Sequence, residues 1–200
     1  MNSHLSKAER TRQFIIETTA GIFNTKGYAG TSMSDLTDAT GLTKGSIYGN
    51  FENKEEVALA VFDFNYLKAN DAIRQLIEKE STFYDKLMVY PRFYHNFTRR
   101  GISPGGCPIL NTAVEADDTN KLLKDKAAKA VLKWKKTIED LLQGGIAAGE
   151  FKTDTLIETI ALSIVALIEG GIMISKVTDS QANMDMVLTT VTNMINQLKI

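Results

Sequence analysis

Apolar side chains recur every three or four positions through almost the whole chain, which predicts an all-helical fold. Phe14, Ile15, Thr18, Ile22 and Phe23 mark one face of a first helix over about residues 7–25, followed by Gly27 as a candidate left-handed C-cap. Two short helices follow, over about 33–40 with Leu36 and Ala39 inward and Gly41 as its stop, and over about 44–50 after Thr43. Val57, Ala60, Val61, Phe64 and Leu67 then place a long helix from Asn53 to about Lys79. The next runs from about Thr82 to Arg99 and contains Pro91, which lacks an amide donor and should kink it.

The run from Gly101 to Pro108 is the clearest break, because its glycines and prolines cannot sustain a helix. Proline suits a first helical position, so a short helix should start at Pro108. A long helix follows to about Ala148, and two more cover about 154–176 and 181–198. In the last, Met184, Val187, Leu188, Val191, Met194, Ile195 and Leu198 form one stripe, whereas its predecessor is apolar around nearly its whole circumference. Such a helix must be covered on both sides, either within one subunit or by a second copy. The expectation is a homodimer through the last two helices, with Gly170 and Gly171 allowing close backbone approach.

Helix starts are legible in three places. Ser6 with Glu9, Ser32 with Asp35 and Asn53 with Glu56 each pair an N-cap acceptor with a carboxylate three residues on. The two short helices joined by Gly41-Leu42-Thr43 read as a helix-turn-helix, whose second member would enter the major groove. Thr43, Lys44, Ser46, Tyr48 and Asn50 are hydrogen-bonding types on a helix too short to be chosen for packing alone. The predicted organisation is a DNA-binding domain over 1–53 and a helical ligand-binding and dimerisation domain over 54–200.

Composition narrows the classes. Hydrophobic residues at 44% and charged residues at 24% exclude a disordered or fibrous chain. The single Cys107 excludes an intrachain disulfide framework and fits the cytoplasm. The polar start carries no secretory pattern, and the apolar stretch from Ile160 to Ile174, with Glu169 in it, is short for a bilayer, so no membrane partner is expected. Net charge is −1, and the first 54 residues set six basic side chains against five acidic ones, so a DNA reading must rest on local placement. Charge alone leaves open a second class, a helical small-molecule-binding protein with a non-functional head.

Several spaced elements agree in order. Phe23-Asn-Thr-Lys-Gly-Tyr28, Thr31-Ser-Met-Ser-Asp-Leu36, Ala39-Thr-Gly-Leu-Thr-Lys-Gly-Ser-Ile-Tyr48 and Phe51-Glu-Asn-Lys-Glu-Glu56 resemble successive parts of the DNA-binding domain of the tetracycline-repressor (TetR) family, over about residues 7–57. The resemblance implies an all-helical homodimer of about nine helices, a repressor released from a palindromic double-stranded operator when a small molecule enters the C-terminal domain. It further implies that Ser32, Thr43, Lys44, Gly45, Ser46, Tyr48 and Lys54 contact DNA, mostly phosphates. Where the family commonly has Tyr-x-His-Phe, this chain has Tyr48-Gly-Asn-Phe51. Asn50 would then replace an imidazole donor, and Gly49 should loosen the end of the recognition helix.

The body diverges more. Tyr90, Phe93, Tyr94 and His95 near Pro91, with Phe62 and Trp134, suit a cavity for a flat or apolar effector, although each ring taken singly is also an ordinary core residue. Asn111 and Glu115, four apart on one helical face, are candidate polar anchors, as are His95 and Glu169. Cys107 stands at a predicted helix N-terminus, where amide dipoles favour thiolate, and Gly-Gly-Cys-Pro with Asn111 resembles a loop in a branch of the family that includes sensors of reactive compounds. Two His and one Cys make no dedicated metal site, and no nucleophile–base constellation or phosphate-binding glycine loop is present. Neither a cofactor nor an enzyme is expected.

Overall fold

The structure, a computed structural model, describes residues 6–95, 97 and 105–200. Among these it has nine helices: α1 (Lys7–Gly30), α2 (Met33–Thr40), α3 (Lys44–Tyr48), α4 (Lys54–Ile77), α5 (Phe83–Tyr94), α6 (Pro108–Ala116), α7 (Lys121–Ala147), α8 (Ile157–Val177) and α9 (Gln181–Gln197). The only strand-like pairing among the described residues is one isolated bridge, Phe151 with Lys199. The break expected at 101–108 lies mostly outside the described residues, as does the end of the helix expected to reach Arg99.

The chain divides into two compact units, Met1–Lys68 with Ser103–Ala127, and Ala69–Ile102 with Ala128–Ile200. The first is larger than the expected head of residues 1–53. Its core joins Ile15, Phe23, Leu36, Ile47 and Phe51 to Val57 and Val61 of α4, Ala116 of α6 and Leu123 of α7. Helix α1 and two short helices, which cannot bury one another completely, are thus closed by the start of α4 and by the returning α6–α7 segment.

Local chemistry starts these helices where expected. Ser6 and Ser32 form complete capping boxes with Glu9 and Asp35, and Thr43 Oγ accepts from the Ser46 amide to start α3. Gly41 ends α2 in the left-handed region, at φ 67°. The first helix differs from expectation: Gly27 does turn left-handed, at φ 74°, but a further helical turn restarts beyond it and runs to Gly30.

In the second unit, Leu87, Tyr90 and Phe93 of α5, Ile138 and Leu142 of α7, Ile164, Ile168 and Ile172 of α8, and Leu188, Val191 and Ile195 of α9 are buried. The carboxylate of Glu150 accepts from the amides of Phe83 and Tyr84 at 3.0 and 2.8 Å, satisfying donors at the start of α5. Pro91 lies inside α5, one turn from its end. Of the two expected close-approach glycines, Gly171 packs against Met184 and Val187 of the same subunit, while Gly170 has open space where a Cβ would stand. Helix α8 starts three residues later than expected and is long and apolar enough to cross a membrane by length and composition alone. Its uncovered face carries Leu162, Met173, Ile174 and Val177.

A Cβ on Gly145 would stand 2.1 Å from the ring of Phe151, which is fully buried and has no room to retreat. Gly145→Ala is therefore expected to destabilise the second unit by roughly 1–3 kcal/mol, measured by urea denaturation. An unchanged midpoint would contradict this packing.

Candidate nucleic-acid interface

A five-residue helix has almost no intrinsic stability, so α3 must be held by its surroundings. Ile47 is its buried anchor, and Phe51 just beyond it is buried too. The far end is held by Arg12 of α1. Its guanidinium lies 4.0 Å from the centre of the Phe51 ring, donates to the Asn50 carbonyl, and reaches Glu56 Oε1 at 2.7 Å. Gly49, expected to loosen this end, is instead followed by a residue whose carbonyl is gripped by a cation.

With Ile47 inward, Thr43, Lys44, Gly45 and Tyr48 are exposed, and Ser46 is half-buried. The Lys44 ammonium sits 5.8 Å from the Tyr48 ring centre. Gly45 is informative because a Cβ there would meet nothing closer than Thr43 Oγ at 4.0 Å. No internal packing requires glycine at this helical position, where it costs stability relative to alanine.

The other expected contacts are more engaged. Ser32 Oγ donates to Asp35 Oδ2 at 2.7 Å while accepting from the Asp35 amide. Asn50 Nδ2 donates to the Ser46 carbonyl at 2.9 Å. Lys54 differs most from a free phosphate ligand: its ammonium donates to the carbonyls of Tyr28 and Thr31 at 2.7 and 2.8 Å and lies 4.3 Å from the Tyr28 ring centre.

Two residues that the sequence reading did not assign to this region support its electrostatics. Lys26 pairs with Asp35 at 2.5 Å, and Arg12 pairs with Glu56. The Asp35 carboxyl is held well below the usual carboxylate range, first by Lys26 and then by the amide and hydroxyl of Ser32. Glu56 is lowered by the Glu52 amide and then by Arg12. Arg12 lies 38 residues from its carbonyl partner, a separation that no local pattern could signal.

The residues expected to line an effector site fall into both units. In the first, Phe62 stacks on Tyr66 at 6.3 Å, and Cys107 is buried as the N-cap of α6. Asn111 and Glu115 do share a face of α6, but that face bonds to α1 rather than standing free as ligand anchors. Asn111 Nδ2 donates to the Asn24 carbonyl at 2.9 Å, and the Glu115 carboxylate accepts from the amides of Tyr28 and Ala29. In the second, Tyr90, Phe93, Tyr94 and Trp134 do come together with Phe97: Trp134 is stacked near Tyr94 at 5.6 Å and Tyr90 at 6.3 Å, and Phe93 meets Tyr94 edge-on at 5.1 Å. The buried indole N–H of Trp134 has no acceptor among the described residues. His95 Nδ1 pairs with Asp185 at 2.8 Å, and Glu169 is half-buried on α8. Among the described residues there is no group of three or more potential metal ligands.

Residues 15–61 match the family model for bacterial regulatory proteins of the tetR family, and residues 84–191 match that for the tetracyclin repressor-like C-terminal domain. The chain belongs to the TetR family of transcriptional regulators. A family member from Cytophaga hutchinsonii is 47% identical, with 99% of each chain covered and a TM-score of 0.95. Another from Chloroflexus aurantiacus is 35% identical, with 98% of each covered and a TM-score of 0.92. Among curated relatives, the transcriptional repressor DhaR of Mycobacterium sp. (strain GP1) is 24% identical over 182 residues, 90% of this chain and 89% of that protein. In this TetR-family chain α2 and α3 are therefore the DNA-binding helix-turn-helix, and α5 to α9 lie largely within the C-terminal family domain.

Because the Asp35 carboxyl is depressed in the folded state, its contribution is complete at neutral pH and is lost as pH falls below about 4 and through the folded pKa. Asp35→Asn should lower the melting temperature at pH 7, and the gap to wild type should narrow on acidification. A gap independent of pH would show that the ionised carboxylate does not hold the start of α2.

Proposed function

We propose that the protein is a homodimeric, cytoplasmic transcriptional repressor that holds a palindromic operator through α3 and releases it when a small molecule binds the C-terminal domain. The single observation carrying the DNA contacts is Gly45, a helical glycine whose missing side chain answers to nothing inside the protein and so suits the close approach of a DNA backbone. Lys44 beside it supplies charge to a phosphate, Thr43 and Ser46 supply hydroxyls, and Tyr48 reaches out from the end of the helix. Asn50, Ser32 and Lys54 shape and position this surface. The repressor sense draws on relatives named as repressors.

The dimer reading rests on the exposed apolar row of α8, with Met186 of α9 also exposed, a surface suited to a copy of itself. For the effector, the aromatic cluster about Trp134 and its unanswered indole N–H favour a flat molecule carrying a hydrogen-bond acceptor. Trp134 is the chain's one tryptophan, so quenching of its fluorescence screens such compounds directly. A second trigger, covalent modification of Cys107, is favoured by the position of that residue at the α6 N-cap.

Anisotropy titrations against a duplex enriched by the wild-type protein from randomised DNA should show affinity falling steeply with salt, and Lys44→Ala should reduce the salt slope by about one. Tyr48→Ala should weaken binding without loss of helicity. Absence of salt-dependent binding by the wild type would favour a small-molecule carrier instead. Val177→Glu is expected to convert the dimer to monomer in sedimentation and to abolish operator binding, and an intact dimer would move the interface elsewhere.

A further inference from the structure

The last turn of α1, restarted beyond Gly27 and leading into α2, is held from two sides. On one, the Glu115 carboxylate of α6 accepts from the amides of Tyr28 and Ala29, both at 2.8 Å. On the other, the Lys54 ammonium of α4 donates to the carbonyls of Tyr28 and Thr31. The next residue, Ser32, is the N-cap of α2. We infer that Glu115 is a positioning residue for DNA binding: it and Lys54 clamp the Tyr28–Thr31 turn between opposite charges, so the docking of α6 sets where the helix-turn-helix stands. This deepens the DNA-binding reading and rests on it.

Three features make the clamp specific. Gly27 breaks α1 at φ 74°, leaving the amides of the restarted turn without partners in their own helix. A Cβ at Gly27 would stand 2.4 Å from Glu115 Oε2, so the carboxylate fills the space that glycine vacates. On the near side of the break, the buried Asn24 donates to the Gly106 carbonyl at 2.9 Å and its own carbonyl accepts from Asn111, so the segment carrying α6 is bonded to α1 before and after the break.

Packing over this joint is incomplete. A cavity of about 30 Å³, the size of about one water molecule, is bordered by Asn24, Gly27, Tyr28, Asn111, Thr112 and Glu115, so the α1–α6 contact is held here by polar bonds more than by close packing. Any shift that withdraws Glu115 frees two amides and releases the turn that precedes the α2 cap. Lys54, expected at a phosphate, thereby has an account as the opposing jaw.

Glu115→Gln keeps the shape but replaces one acceptor oxygen by a donor, which leaves an amide of the turn unanswered. It should weaken binding to the enriched duplex by roughly tenfold, with an unchanged salt slope because no phosphate contact is lost. A phosphate ligand such as Lys44 behaves oppositely. The readout that a merely structural cap would not move is reciprocal linkage: saturating DNA should slow alkylation of Cys107, at the α6 N-cap, by N-ethylmaleimide by about threefold or more in wild type, and Glu115→Gln should lose that protection. The wild-type comparison stands even if the variant folds poorly. Equal Cys107 rates with and without DNA, or wild-type DNA affinity in a folded Glu115→Gln, would overturn the inference. Failure of the wild type to bind DNA at all would instead remove the reading on which it rests.

Discussion

Burial of Ile47 is the constraint on which the DNA-binding surface depends. Five residues cannot hold a helix by their own hydrogen bonds, so α3 exists only because one apolar side chain is locked into a core built by its neighbours. That lock sets the rotation of the helix and so turns Lys44, Gly45 and Tyr48 outward. Thr43 fixes where the helix begins, and Arg12, gripping the Phe51 ring and the Asn50 carbonyl, fixes where it stops.

The same shortage of local stability explains why the first unit extends beyond the three helices of the head. Two short helices packed on α1 leave an open side, and Val57, Val61, Ala116 and Leu123 fill it. Polar bonds follow the apolar contact: Asn120 donates to Glu55, Lys126 pairs with Asp63, and Asn111 and Glu115 bond to α1. Helix α6, which the sequence would assign to a ligand pocket, is thus built into the DNA-binding unit.

In the second unit the controlling fact is different. Helices α8 and α9 bury Ile164, Ile168 and Ile172 against Leu188, Val191 and Ile195, yet α8 is apolar well beyond the face needed for that. The surplus on Leu162, Met173 and Val177 has no use within one subunit. It is the ground on which the dimer proposal stands.

Much of the fold was legible because helix caps and 3.6-residue periodicity are local signals. Ser6, Ser32, Thr43 and Gly41 each act where their neighbours in sequence indicate, and the order of helices and the helix-turn-helix spacing follow from them. The chain beyond Gly27 was less legible: a left-handed glycine reads as a helix end, and the restarted turn to Gly30 is capped by a carboxylate 87 residues away from the Tyr28 amide. Sequence alone therefore determined the helix starts, the recognition helix and the family. Only tertiary structure decided that Lys54 bonds to the carbonyls of Tyr28 and Thr31, that Arg12 closes α3, and that Asn111 and Glu115 bond to α1, because those contacts depend on distant segments meeting in space.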